Sequence, residues 1–439
     1  MNAFKEYSDM SKKTSLYMRV YEYYKTLILN GKLPPNSRLP SIRRCSAELS
    51  VSRTTAETAY LQLAADGYVV SKPQSGYFVT NIALNKNETR SETPKDCKKD
   101  IIYDFGTSSV DSDSFDFNIW RRYIKSALRQ DERLLSYGEV SGELELREAI
   151  CNYIREQRNA ICTPENIIIG AGVQSLLHII CKILETKSNI AFADQSFMQG
   201  IAIFRDHGFN ILSSDCKADI LYISPSHINR WGDTMNASKR IELISNARKS
   251  GTVLIEDDYD SEFGYFSRKS PCLQGLDGGR NVIYIGTFSK LLLPSIRISF
   301  MILPDNMLEK YNQISPLYNQ TASKTEQIAL CQFIRDGHLS ASARKAKKLY
   351  TSKMKKLCDA INDVFHSGAK AHLGEGGFVV RLEIFSDLTS EQVVMRAKNA
   401  GILVSTAEID SKYPQILLSC SGISEENYYD ALKILKNSL

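Results

Sequence analysis

The chain has 439 residues, a formal net charge of +5, and 43% hydrophobic and 24% charged residues. Its length exceeds what one core organises and calls for two or three domains, while its ordinary composition excludes wholesale disorder. No apolar run reaches the ~18 residues of a membrane span, and the opening MNAFKEYSDMSKKTS lacks the apolar stretch of a secretory signal, so neither membrane nor export is expected.

The ten cysteines form no CxxC pair and the six histidines no HExxH, which points to free thiols in a reducing cytoplasm and to no metal site. Residues 1–100 hold 16 Lys and Arg against 10 Asp and Glu, and the remainder 39 against 40, so the positive excess sits in the first quarter. A polyanion touching only that part would suit such a distribution, although a merely soluble surface would too.

Leu16, Val20, Tyr24, Leu27 and Ile28 recur at helical spacing and predict an amphipathic helix over 15–30, closed by Gly31. Ser41, after Pro40, caps a second helix over 42–49, and Ser52 caps a third over 53–66 that Gly67 stops. The tight turn LSVSR between them makes a helix-turn-helix, whose second helix enters the DNA major groove. On that helix Ala56, Ala59, Tyr60 and Leu63 share an inner face and leave Arg53, Thr54, Glu57 and Thr58 outward. Its opening residues, Ser52, Arg53, Thr54 and Thr55, present donors where phosphates would lie. Tyr68–Val70 and Tyr77–Val79 flank the tip KPQSG and read as a β-hairpin wing.

Residues 82–100 (IALNKNETRSETPKDCKKD) are polar, charged and nearly free of aromatics, and read as an exposed linker. They separate a DNA-binding domain over 13–81 from a large domain over 101–439. In the latter, the apolar runs at 167–170, 189–192, 220–223, 252–256 and 281–286 alternate with amphipathic helices, predicting an α/β domain on a mostly parallel sheet.

Three strings in that domain carry chemistry. In IIIGAGVQSLL (167–177) a strand runs through a glycine turn into a helix, and the N–H groups of Gly172, Val173 and Gln174 offer a phosphate cradle, a pattern shared by many helix entries. In VLIEDDYDSEF (253–263) an apolar run ends in acids and a tyrosine. A buried carboxylate there needs a cation, and a protonated pyridinium serves while turning its ring into an electron sink. Asp257 suits that role, with Tyr259 on the same side of the strand donating to the ring's phenolic oxygen. A solvated acidic loop or a magnesium site is the alternative. In GTFSKLLLPSIR (286–297) Lys290 falls at a strand's C-terminal end, where a desolvated amine condenses with an aldehyde, and Arg297 is in reach to grip a phosphate.

LPSIRR (39–44), VSRTTAETAY (51–60) and DGYVVSKPQSGYFV (66–79) resemble the winged helix-turn-helix of the GntR superfamily. The later strings, EDDYDSEF and GTFSK among them, resemble fold-type I pyridoxal-phosphate aminotransferases. Together, across nearly the whole chain, they resemble the MocR-type branch of GntR regulators. The resemblance implies an α+β winged helix-turn-helix domain followed by an α/β fold-type I aminotransferase-like domain. It implies DNA contacts at Arg43, Arg53 and the wing tip from Lys72 to Gly76. It implies pyridoxal 5′-phosphate as cofactor, with Lys290 forming the internal aldimine, Asp257 at the pyridine nitrogen, Tyr259 at the ring oxygen, and Thr287 and Arg297 at the phosphate. Phe197 would stack on the ring, Asn229 would contact it, and Tyr137 would reach the phosphate of the partner subunit in a homodimer. The implied protein binds a double-stranded operator and senses a small amine, an amino acid or the cofactor itself through aldimine exchange at Lys290.

Several residues depart from the aminotransferase pattern. Leu417 stands where such enzymes carry the arginine for the substrate α-carboxylate, with Arg230 and Arg381 as possible substitutes. AFADQSF (191–197) lacks the usual Glu and Pro, and SPSHINRWG (224–232) is bulkier and more basic than usual. These departures favour sensing over turnover. The alternatives are a working aminotransferase with a DNA-binding appendage, and a regulator whose large domain merely dimerises, against which Lys290, Asp257 and Tyr259 argue. The basic run Lys345, Lys347, Lys348, Lys353, Lys355 and Lys356 is expected to be a solvated helix face, which DNA beneath a dimer could touch.

Overall fold

The computed structural model describes residues 15–81, 101–106, 110–213, 216–264, 270–407 and 411–439. The chain divides into two compact units between Lys98 and Lys99. The expected linker, 82–100, lies outside the described residues.

In the first unit, helix α1 (Leu16–Leu29) buries Val20, Tyr21, Tyr24 and Ile28. Leu16 remains 56% exposed, so the apolar stripe starts one turn later than expected. Gly31, at φ +69°, supplies the left-handed turn that ends the helix. Helix α2 (Ile42–Glu48) is capped by Ser41, whose Oγ accepts from Arg44 N, and α3 (Arg53–Ala65) by Ser52, whose Oγ accepts from Thr55 N. Ala56, Ala59, Tyr60 and Leu63 of α3 are fully buried. An edge-to-face series of rings, Tyr24 with Tyr60 at 5.4 Å and Tyr60 with Tyr77 at 5.2 Å, ties the helices to the hairpin β1 (Val69–Lys72) and β2 (Gly76–Val79). Tyr60 OH donates to Pro40 O, giving the buried phenol its partner.

The large unit is built on strands β3 (Ile167–Gly170), β4 (Asn189–Phe192), β5 (Asn210–Leu212), β6 (Ile220–Ile223), β7 (Val253–Asp258), β8 (Val282–Thr287) and β9 (Ser299–Ile302). They form one sheet in the order β3-β9-β8-β7-β6-β4-β5. The central strands are buried on both faces, which is why they read as continuous apolar runs rather than alternating ones. The sheet is parallel except for β9, which runs antiparallel between β3 and β8 and pairs Ser299 with both Gly170 and Thr287. Around the sheet lie α4 (Phe117–Ala127), α5 (Leu144–Arg158), α6 (Val173–Ile183), α7 (Met198–Asp206), α8 (Ala237–Ser250), α9 (Asp305–Ile314) and α10 (Lys324–Arg335).

The long helix α11 (His338–Phe365) leads to a smaller antiparallel sheet of β10 (Ala369–Leu373), β11 (Val379–Ile384), β12 (Ser405–Thr406) and β13 (Gln415–Ser419), ordered β10-β11-β13-β12. The basic run on α11 is not uniformly solvated. Lys353 is only 4% exposed, because the chain packed over α11 covers it, and its buried charge is met by Asp111 and by Ile423 O, to which it donates. Lys345, Lys348, Lys355 and Lys356 are exposed and Lys347 is half-buried. Among the described residues no helix is long and apolar enough to cross a membrane.

Candidate functional site

The C-terminal ends of β3, β7 and β8 open into a cavity of about 510 Å³. Gly172, Val173 and Gln174 line it from the turn after β3, Asp257 and Tyr259 from β7, and Thr287 and Lys290 from the end of β8. Arg297 and Phe197 also face it. Three strings more than a hundred residues apart in total span therefore converge on one site, as open α/β sheets arrange theirs.

Strand alternation sorts the three acids of β7. Asp258 pairs with Arg158 at 2.7 Å and accepts from Tyr284 OH at 2.7 Å, away from the cavity. Glu256 accepts from Leu273 N and Gln274 N, and burial pushes it up to about 7. Asp257 faces the cavity; its Oδ2 accepts from Tyr222 OH at 2.6 Å, while its buried Oδ1 has no hydrogen-bond partner among the described residues. Burial pushes Asp257 up to about 7, with Asp258 and Asp260 adding to the rise and Tyr222 opposing it. A carboxylate so placed gains most from a cation arriving at its open oxygen. Tyr222 was not singled out from the sequence, since a tyrosine in ILYI reads as core. Its ring stacks on Phe192, and burial followed by Asp257 raises it well above the usual phenol range, keeping it a donor.

Lys290 is half-buried, with Nζ 4.6 Å from the Tyr259 ring centroid and 4.9 Å from that of Phe378. Burial lowers it from the ordinary lysine value, and Asp260 and Asp257 oppose the shift. The population of free amine, the nucleophilic form, rises accordingly. Tyr259 is held well above the usual phenol range by burial and by Asp260, so it too remains a donor.

At the opposite end, Gly172 has φ +87° and caps α6, whose first N–H groups at Val173 and Gln174 are unsatisfied by the helix itself. A Cβ on Gly172 would fall 2.4 Å from Nη2 of Arg297. Glycine is thus required for the guanidinium and the helix N-terminus to share one space. Arg297 itself adopts φ +52°, uncommon for a side-chain-bearing residue, and no carboxylate pairs with it among the described residues. Thr287 Oγ1 accepts from Ser299 Oγ at 2.9 Å, fixing that hydroxyl beside the same space.

Phe197 caps the start of α7, its ring 5.5 Å from that of Tyr222; Gly200 makes room, since a Cβ there would lie 2.3 Å from the Phe197 ring. Asn229 does not join them. It lies outside the cavity lining because its amide donates to Asp233 Oδ2 and its oxygen accepts from Asp233 N, a lock made by the altered loop that carries it. Tyr137 is 93% exposed and lies outside its own chain's cavity.

A second chamber of about 220 Å³ continues from the first, sharing Asp194, Ser196, Tyr259 and Lys290. Leu417, 5% exposed on β13, lines it, as does Arg230, whose Nη1 donates to Thr406 O. Arg381 does not; it lies over the Trp231 ring at 4.9 Å and donates to Gln415. His227 Nδ1 lies 2.7 Å from Asp260 Oδ2 on the chamber wall. Burial pushes Asp260 upward, but His227 followed by Lys290 and Arg158 outweighs it and holds this carboxylate below its ordinary value.

In the first unit Arg43, Ser52, Arg53 and Thr54 are exposed on α2 and the start of α3. Thr55 is half-buried, its hydroxyl 2.7 Å from Ser52 Oγ, so it completes the cap more than it faces outward. Lys72 is exposed, with Nζ 4.7 Å over the Phe78 ring, and Gly76 at φ +96° turns the wing tip. Arg38, not anticipated, is exposed beside that tip, its guanidinium about where a Gly76 Cβ would touch it at 3.4 Å.

Residues 16–79 match the family described as bacterial regulatory proteins, gntR family, and residues 80–435 match aminotransferase class I and II. The uncharacterized HTH-type transcriptional regulator YdeL of Bacillus subtilis is 33% identical, covering 96% of each chain. The probable rhizopine catabolism regulatory protein MocR of Rhizobium meliloti is 28% identical over 79% of this chain and 77% of its own. Among solved structures, LysN, the α-aminoadipate aminotransferase of Thermus thermophilus, superposes with a TM-score of 0.67 at 21% identity, covering 77% of this chain and 92% of its own. The chain belongs to the GntR family of helix-turn-helix transcription regulators, in the MocR-type branch that joins a winged helix-turn-helix domain to an aminotransferase-like domain.

Proposed function

We propose that this chain is a DNA-binding transcription regulator whose large domain holds pyridoxal 5′-phosphate and senses a small amine or amino acid. The observation that carries the reading is Lys290, a half-buried amine between two aromatic rings, at the junction of a phosphate-sized cradle and a second chamber. The residues fit the cofactor. The unpartnered Oδ1 of Asp257 suits a protonated ring nitrogen, and the space that a Gly172 Cβ would fill suits a phosphate against Arg297 and the start of α6.

When bound, the cofactor supplies an aldehyde carbon that condenses reversibly with amines, so an effector amine can displace Lys290. Asp257, backed by Tyr222, holds a proton at the ring nitrogen. Tyr259 would donate to the ring oxygen, Phe197 would cover the ring, and Thr287 with Arg297 would hold the phosphate. The chamber beyond Lys290 receives the rest of the effector, and Leu417 on its wall stands where an aminotransferase carries the arginine for the substrate α-carboxylate. Without that anchor an α-amino acid is poorly held for proton transfer, which favours binding over turnover.

The winged domain over 13–81 contacts the operator through Arg43, Arg53 and the wing, and residues 82–100 join it to the sensor over 101–439. A homodimer, with Tyr137 reaching the partner's phosphate, would match paired half-sites. Effector binding alters DNA affinity only if it favours one arrangement of the domains over another. The composition suits the cytoplasm.

The test is the visible spectrum of the purified protein during titration with a panel of amines and amino acids. A cofactor band that shifts with one compound and stays shifted supports a sensor. A band that bleaches and returns only with a keto acid makes the protein an aminotransferase with a DNA-binding appendage.

A further inference from the structure

The large domain is nearly neutral overall, yet one face of it is not. Arg121, Arg122 and Lys125 on α4 and Arg129 just beyond its end line a single open hollow of about 930 Å³ with Arg335 of α10. All five are exposed. Only one carboxylate, Asp336, lines the hollow with them, and Tyr123 OH already donates to it. Glu148 pairs with Arg335. Arg121, Arg122, Lys125 and Arg129 face no acid in any ion pair among the described residues; Arg121 donates only to Asn118, and Arg122 rests on the Tyr123 ring.

The platform under them is packed and capped. Trp120 and Tyr123 of α4 set their edges against Phe333 of α10 at 5.7 and 5.8 Å. Asp116 caps the helix by accepting from Asn118 N and Ile119 N. A helix-end effect accounts for Lys125 near the C-terminus but not for Arg121 and Arg122 in the middle of the helix. Self-repulsion among four like charges on one short stretch is unfavourable unless a polyanion comes to them.

We infer that this stripe is a second DNA contact, gripping duplex phosphates outside the winged helix-turn-helix. The occupant follows from charge complementarity and from the chain itself. The DNA-binding domain in the same polypeptide raises the local concentration of duplex around the large domain. Exposed Arg and Lys spaced along a helix, about 6 Å apart per four residues, reach backbone rather than base edges, so the contact adds affinity without sequence preference.

The inference rests on operator binding by the full chain, and the test separates the two: wild-type protein that fails to bind operator overturns that reading, whereas the stripe is judged by comparison with binding wild type. Operator affinity is measured against salt for the full-length protein and for Arg121→Ala/Lys125→Ala/Arg129→Ala, with equal cofactor absorbance and circular dichroism as the folding control. Each lost phosphate contact lowers the slope of log affinity against log salt by about 0.9, so the triple variant should lose roughly 2 to 3 units of slope. The loss should be equal on operator and on unrelated duplex of the same length. Arg121→Lys/Arg129→Lys should keep the wild-type slope, since charge and not geometry is used. If the triple variant misfolds, Lys125→Ala alone should lower the slope by about 0.9. A folded variant with an unchanged slope overturns the proposal and leaves the stripe to a different anion; so does a lysine variant as impaired as the alanine one.

Discussion

The winged unit and the cofactor cavity hold their functional residues by opposite means. On the winged unit the side chains offered to DNA are exposed, and what fixes them is backbone: the Ser41 and Ser52 caps, and the glycine that turns the wing. In the cavity Asp257, Tyr259 and Lys290 are wholly or partly buried, and what fixes them is the sheet, whose alternation turns Asp257 inward and Asp258 away. A change in the first region should therefore alter affinity for DNA and little else, whereas a change in the second should alter chemistry, stability and pH response at once.

The sharpest break of that contrast is Lys290→Ala. It should abolish borohydride-fixable cofactor entirely while leaving operator binding in the absence of effector intact; a stable reduced adduct in this variant would remove Lys290 from its role. Next comes the pH dependence of the cofactor-free protein. Asp257 lies at about 7 in the fold against 3.8 ordinarily, so the fold favours its protonated form. The stability this gives is fully present below pH ~4 and is lost as pH rises through ~7, by an amount on the order of a few kcal/mol. The thermal midpoint of cofactor-free protein should fall from pH 5 to 8, and Asp257→Asn should flatten that fall, Glu256 and Glu262 keeping their own share since burial also raises both to about 7. An unchanged profile in the variant would mean the carboxyl is solvated. The smallest effect is Arg53→Ala, expected to weaken operator binding by about 1–3 kcal/mol without moving the cofactor spectrum. Operator affinity equal to wild type would take Arg53 off the DNA surface.

Much of this was legible beforehand where local rules decide. The three helices of the winged unit and the five apolar runs of the large sheet stand within a residue or two of expectation, because caps, glycines and apolar period are local signals. The direction of β9 was not, since SFMI reads the same whichever way it runs. Nor was the partner of Asp257: Tyr222 sits on a different strand, and only pairing of β6 with β7 sets it alongside. Nor was the setting of Asn229, expected at the ring, since Asp233, four residues on, takes both ends of its amide. Lys353 looked like its neighbours in the basic run, and only the chain packed over α11 buries it. The basic stripe on α4 was hidden by summation, since a domain-wide balance near zero says nothing of where the charges lie.

The antiparallel strand β9 also sets an order of assembly. It closes the sheet by joining Ile302 to Ile167 and lays Ser299 between Gly170 and Thr287, so the floor under Thr287 and Arg297 exists only after all these segments have left the ribosome. The winged unit needs nothing beyond its own first stretch of chain, and N-terminal domains fold first during synthesis. Each new molecule therefore completes the winged unit well before it completes the cavity, since distant strand pairings form more slowly than local ones. A chain cut short before β9 would carry the winged unit complete and the cavity without its floor.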